Sequence, residues 1–207
     1  MRGFSGWRIF WITTLAVVSI QLVVLAATGT GEEGVRTAIR ASARTSLFLF
    51  GAAFVASSWH RLRPGVVSRW LLANRRYVGV SFAASHAIHL AAIGWLGARF
   101  DVTFAPVTIA VGGLGYVLIA AMTATSFDRT ARRLGARGWK RLHGFGSRYV
   151  WLVFFLTLLP QPGATAAQLA AFVFVLALAG VRTAAGLHEW RTKVADSERE
   201  ALANSLK

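Results

Sequence analysis

Six long apolar runs constrain the fold of this sequence more than any other feature. They cover residues 9–27, 42–59, 77–96, 105–125, 142–159 and 164–187. A helix needs about twenty predominantly apolar residues to cross the hydrocarbon core of a bilayer. Within lipid, the backbone polar groups must be satisfied internally, which admits only helices and closed barrels. The runs therefore predict an all-α, polytopic membrane bundle of about six transmembrane helices.

The composition supports a membrane protein and excludes several other classes. Hydrophobic residues make up 55% of the 207 residues and charged residues only 15%, whereas soluble domains carry about 25% charged residues. The net charge of +15 would suggest nucleic acid in a soluble protein, but here the Lys and Arg residues cluster between the apolar runs. The predicted partner is thus the lipid bilayer and not nucleic acid. The absence of cysteine excludes disulfides, thiolate metal sites and thiol catalysis.

The segments between the apolar runs alternate in charge. Segment 60–76 carries five arginines and no acid, and segment 128–141 carries six basic residues against Asp128. Segment 97–104 has only Arg99 and Asp101, and segment 160–163 has no charge. Because basic loops stay in the cytoplasm, both termini are predicted to be cytoplasmic, in a multi-pass protein of the plasma or inner membrane. Residues 1–190 form one predicted transmembrane domain, and residues 191–207 a solvated helical tail.

Three histidines lie within apolar runs, where ionisable side chains are costly and need a reason. His86 and His89 are nine and twelve residues into the third run, roughly 14 and 18 Å deep, and point to nearly one face. His143 is at the start of the fifth run. Neutral imidazoles are good axial ligands for haem iron, and helical bundles often hold such sites. Hydrogen bonds from His86 and His89 to Ser or Thr on other helices are the alternative, and spacing leaves both open.

Two motifs surround these histidines. Arg75 and Arg76 are followed by Gly79 and, thirteen residues after the second arginine, by His89. Further along, the chain reads Thr125-Ser126-Phe127, then Leu134-Gly135, then Trp139-Lys140-Arg141-Leu142-His143. In this order, and two runs apart, the motifs resemble the ferric reductase-like transmembrane domain family over residues 40–160. That family includes the haem subunit of the methionine sulfoxide reductase system and, more distantly, the NADPH oxidases.

The resemblance implies a haem b-containing membrane oxidoreductase with His86, His89 and His143 as candidate axial ligands of the iron. Family members usually carry a further histidine where this chain has Leu156. One haem is therefore favoured over two, held by His143 and either His86 or His89. Arg40 and Arg44, near the outer end of the second run, are candidate partners for the haem propionates. Snorkelling of these arginines to lipid headgroups is the competing interpretation.

Electrons would have to come from outside this domain. The chain contains no GxGxxG, Walker or other soluble catalytic motif of the kinds that bind nucleotides or activate a nucleophile. A partner reductase, a quinone or a flavin is therefore the expected electron donor or acceptor. The alternative function is a haem-free membrane scaffold or small transporter. Against a transporter, no acidic residue lies within any apolar run to couple transport to protons or sodium.

Overall fold

The computed structural model describes residues 5–205, and all regular structure in this range is α-helical. The six helices are α1 (Trp7–Thr28), α2 (Glu32–Leu62), α3 (Val66–Phe100), α4 (Pro106–Ala124), α5 (Asp128–Thr157) and α6 (Ala166–Ser205). The predicted all-α bundle is confirmed. Residues 1–4 of the predicted domain and residues 206–207 of the predicted tail lie outside the described residues.

Five of the six helices, α1, α2, α3, α4 and α6, are long and apolar enough to cross a membrane. The fifth predicted span, 142–159, is not among them. It belongs to α5, whose first half carries the basic segment and whose backbone breaks at Gly135, with φ 72°. The remainder of α5, residues 136–157, is about 33 Å long at 1.5 Å per residue. That length matches a bilayer core of about 30 Å, so α5 differs from the others in composition and not in length.

Several helices extend beyond the apolar runs that predicted them. Helix α2 begins ten residues before residue 42, at Glu32, and Arg36 pairs with Glu32 at 2.7 Å, one turn apart, as helices favour. Helix α6 continues without interruption into the predicted tail. Loops 63–65 and 125–127 lie at the same end of the bundle, which we call the basic end because the two basic segments meet there.

The outer surface of the bundle is apolar. Leu15 and Val23 of α1 are 68% and 67% exposed, an arrangement that suits contact with lipid and would be a liability in water. Inside, α2 packs most extensively against α3, α6 packs on α2, and α5 packs mainly on α4. The Ser46 and Ser85 hydroxyls meet at 2.9 Å in the buried α2–α3 contact. Small polar residues of this kind let membrane helices approach closely and hydrogen-bond.

An aromatic core joins α2, α3 and α5 in the middle of the bundle. The Phe50 ring lies 5.3 Å from that of Phe82 and 5.4 Å from that of Phe154, centroid to centroid. Phe54 stacks on Phe50 at 5.0 Å. These distances are typical of favourable aromatic pairs. This core fills the middle of the bundle. Nearer the basic end, the space between α3 and α5 is less tightly filled.

The cysteine-free chain allows a direct test of whether α5 crosses the membrane. We expect single cysteines at Gly65 and Arg133 to react with an impermeant maleimide from one side of the membrane. Cysteines at Thr103 and Gln161 should react from the other side, because two crossings separate the positions within each pair and an odd number separates one pair from the other. The unsubstituted chain is the control and should not react. Labelling of the Arg133 and Gln161 positions from the same side would show that α5 does not cross.

The turn between α1 and α2 depends on a glycine. A Cβ atom at Gly34 would lie 1.9 Å from the Gly29 carbonyl oxygen and 2.8 Å from its carbon, so the backbone of the turn would have to move. We expect Gly34→Ala to lower the free energy of unfolding by about 1–3 kcal/mol, as overpacking does. The matched control is Gly31→Ala, where a Cβ would meet nothing within 4 Å. Thermal unfolding in detergent checks this, and equal melting temperatures for the two variants would contradict it.

Candidate functional site

A cavity of ≈ 220 Å³ lies among α2, α3, α4 and α5 towards the basic end of the bundle. Its apolar walls are formed by Phe50, Phe54, Phe82, Ile119 and Met122. Its polar lining is formed by Arg75, Arg76, Thr123, Ser126, Trp139, His143 and Ser147. A concave, mostly apolar site with a small set of polar groups is the usual form of a cofactor or small-molecule site.

His143 is the one predicted iron ligand that lines this cavity. Its ring stacks on Trp139, with the centroids 4.1 Å apart, and its Nε2 atom lies 3.1 Å from the Thr125 hydroxyl. The Trp139 indole N–H in turn donates to the Thr125 carbonyl oxygen at 3.1 Å. The end of α4 therefore holds the ring at one nitrogen. This is the arrangement that orients metal-binding histidines, in which one nitrogen is anchored by the protein.

Two arginines supply positive charge to the same cavity. Arg76 pairs with Asp128 through Nη1 at 2.7 Å, while its buried Nε atom has no hydrogen-bond partner among the described residues. The Arg75 Nε atom donates to the Ala53 carbonyl oxygen at 3.1 Å. One helical turn further along α3, a Cβ at Gly79 would meet nothing within 4 Å. This side of the cavity therefore combines open space with guanidinium donors, which suits an anionic group.

His86 and His89 form a separate pair, deeper in the bundle. Their rings lie 5.2 Å apart, and His86 also stacks on Tyr116 at 4.8 Å. His89 Nδ1 lies 2.9 Å from the Ser42 hydroxyl, which is the interhelical hydrogen bond that the alternative interpretation predicted. The buried His86 Nδ1 and Tyr116 hydroxyl have no partner among the described residues.

The structure does not bring His143 and the His86–His89 pair together. The His86 ring contacts Phe154, with centroids 5.8 Å apart, and His143 precedes Phe154 by eleven residues on α5. Eleven residues of helix correspond to about 16 Å. Metal–imidazole bonds are about 2 Å long, so two axial nitrogens on one metal lie on the order of 4 Å apart. The expected sharing of one iron by His143 with His86 or His89 is therefore absent from this arrangement.

The remaining predicted site residues lie away from the cavity. Arg44 is exposed on α2, ten residues from Phe54 and so about 15 Å along the helix. Its neighbour Arg40 pairs with Glu33 at 2.6 Å. Leu156, which stands where the resembled family has a histidine, is 49% exposed on the outside of α5. The positions of Arg40 and Arg44 favour the headgroup interpretation over a role with haem propionates.

The sequence motifs include Arg75, Arg76 and Trp139 but did not predict that these residues line a site. The structure places all three around the cavity that His143 lines. A signal was present, because the double arginine and the Trp139-to-His143 stretch are the two motifs that carry the family resemblance. The positions of the two motifs in the chain did not predict that they meet across α3 and α5.

The residues that line the cavity can be compared with those that a haem group requires. Aromatic walls, an anchored imidazole and guanidiniums at one side suit a flat macrocycle with carboxylates. The Thr125 hydroxyl engages His143 at Nε2, which leaves Nδ1 as the nitrogen that could bind a metal. A second histidine on the facing wall is missing. The residues therefore fit haem with one axial histidine and do not fit haem with two. Among the described residues, the cavity included, no group of three or more His, Asp or Glu side chains is placed to hold a metal ion.

Comparison of the chain with protein-family models, curated protein sequences and solved structures finds no match. The functional argument therefore depends on the geometry of the cavity and on the residues that line it.

Proposed function

We propose that the protein is a haem b-containing membrane oxidoreductase of the plasma or inner membrane, with its basic end in the cytoplasm. The observation that carries the proposal is the position of His143. It is an anchored imidazole on the wall of an apolar, aromatic cavity that also presents two guanidinium groups. Haem b supplies one-electron chemistry by cycling between ferric and ferrous iron.

The lining residues have separable roles in this proposal. His143 would hold the iron through a ring nitrogen, and Thr125 and Trp139 hold its ring in place. Arg75 and Arg76 lie where carboxylates of the cofactor would need cations, and the free Arg76 Nε donor is available for one. The phenylalanines of the wall exclude water, which strengthens these charge–charge interactions.

Electron transfer across the whole membrane would need a further carrier. The cavity occupies the basic half of the bundle, and a bilayer core is about 30 Å thick. A quinone, a flavin or a partner reductase would exchange electrons with the haem. The His86–His89 pair and Tyr116 occupy the other half. No histidine of α5 lies at that depth to complete a bis-histidine site there.

Replacing His143 tests the proposal directly. Protein purified from haem-replete cells should show a Soret band, with b-type bands that sharpen on dithionite reduction. His143→Ala should remove at least about nine-tenths of the haem measured by the pyridine haemochrome assay, because it removes the axial nitrogen. His188→Ala, at the exposed basic end of α6, is the control and should retain full haem content. A colourless wild-type protein would refute the proposal and favour the haem-free scaffold or transporter.

The spin state of the iron tests the single-histidine geometry. A haem held by one histidine would have a weak or open sixth coordination position. The ferric protein should therefore give the high-spin electron paramagnetic resonance signal that is typical of five-coordinate haem. His86→Ala and His89→Ala should each keep this signal and the haem content. A low-spin signal in the wild type that disappears in either variant would contradict the geometry and restore the pairing of His143 with that histidine.

A further inference from the structure

Three arginines, Arg75, Arg148 and Arg182, gather where α3, α5 and α6 face α2, and we call them the arginine cluster. Arg182 Nη1 donates to the Phe54 carbonyl oxygen at 3.3 Å, and its guanidinium lies 4.2 Å from the Phe54 ring centroid. Arg75 donates to the preceding carbonyl, that of Ala53. Arg148 lies one turn before Trp151 on α5, and Arg182 lies two turns after Val175 on α6. The Trp151–Val175 contact therefore places both arginines on the facing sides of the two helices. Two guanidiniums, those of Arg75 and Arg182, converge on adjacent carbonyls of α2.

The positive charge of this cluster has no acidic counterpart among the described residues. All eight acidic residues of the chain lie outside the apolar runs, and no member of the cluster forms an ion pair within residues 5–205. Nearby Arg61 is already paired with Glu189. Arg148 and Arg182 are five or six residues inside their runs, or about 8–9 Å deep. Like charges gathered at that depth are costly unless an anion compensates them.

Helix α5 contacts α6 less extensively than it contacts α4, and we call the part of the α5–α6 seam nearer the basic end the groove. Two contacts join α5 and α6 on the side away from the basic end. The Trp151 indole N–H donates to the Val175 carbonyl oxygen at 3.0 Å, and the Phe155 ring contacts that of Phe172. Nearer the basic end, a Cβ at Gly144 or at Gly180 would meet nothing within 4 Å. Arg148, which lies between these two regions on α5, is exposed.

We infer that this groove binds the phosphate of an anionic phospholipid, with the headgroup held by Arg148 and Arg182. Guanidinium groups bind phosphate oxygens through paired hydrogen bonds, and basic pockets between transmembrane helices recognise anionic headgroups. Leu152 and Leu176 follow Trp151 and Val175, the residues in contact between α5 and α6, and at 42% and 44% exposed they offer apolar surface for the acyl chains. A lipid satisfies the charge of the cluster and reaches it from the bilayer. The inference does not depend on haem, because neither Arg148 nor Arg182 lines the cavity.

The test uses the full chain in nanodiscs of phosphatidylcholine that contain a minor fraction of phosphatidylglycerol, with retained lipid counted by native mass spectrometry. Wild-type protein should retain phosphatidylglycerol in preference to phosphatidylcholine. Arg148→Gln and Arg182→Gln should each weaken that retention by about fivefold, the effect of one arginine near anionic lipid. Arg69→Gln removes the same charge from an exposed position at the basic end and should leave retention unchanged.

Three outcomes would overturn the inference. Equal retention of the two lipids by the wild type would show no selectivity for net negative charge. An equal loss in Arg69→Gln would reduce the effect to general attraction at the interface. Displacement of phosphatidylglycerol by millimolar inorganic phosphate would show that the site takes a free anion and not a lipid. Arg182 packs on Phe54, so if Arg182→Gln fails to fold, the exposed Arg148 still provides the test. Haem content measured on the same samples should not change.

Discussion

The contact between α2 and α3 determines much of the rest of this structure. In lipid there is no hydrophobic drive to bring helices together, so close packing and interhelical hydrogen bonds have to do so. Here the Ser46 and Ser85 hydroxyls meet at 2.9 Å, and Ser42 lies 2.9 Å from His89 Nδ1. Ser42, Ser46 and Ser85 are all almost completely buried. Small side chains at these positions allow the close approach, and their hydroxyls satisfy one another where water is absent.

This contact fixes the rotation of α3 and therefore the faces it presents to the other helices. With Ser85 turned to α2, Phe82 and His86 turn towards α4 and α5 and meet Tyr116 and Phe154. The phenylalanine rings fill the middle of the bundle. Towards the basic end, α3 presents Gly79 and the two arginines, and α5 packs mainly on α4. Nothing large remains to fill the space between α3 and α5, and the cavity that contains His143 on its wall is the result.

The distribution of charge follows from the same setting. The acids all lie outside the apolar runs, and Asp128 and Glu189 pair with Arg76 and Arg61. Arginines that lie further inside have to use carbonyl oxygens and aromatic rings, as Arg182 does with Phe54. Both proposals arise from this shortage of anions. The haem carboxylates would balance the positive charge of the cavity, and a lipid phosphate would balance that of the groove between α5 and α6.

The sequence by itself determined the fold class and most of the helices, because the length and apolarity of a membrane span are properties of a continuous stretch of chain. It also identified His143 as a candidate ligand through a local motif. It did not determine which histidines meet, since His86 lies on α3 and His143 on α5, and their relative depth depends on how those helices pack. Only the tertiary structure placed His86 beside Phe154, about 16 Å along α5 from His143. Only it gathered Arg75, Arg76, Trp139 and His143 around one cavity. Such distances depend on side-chain packing between helices, which no local pattern in the chain records.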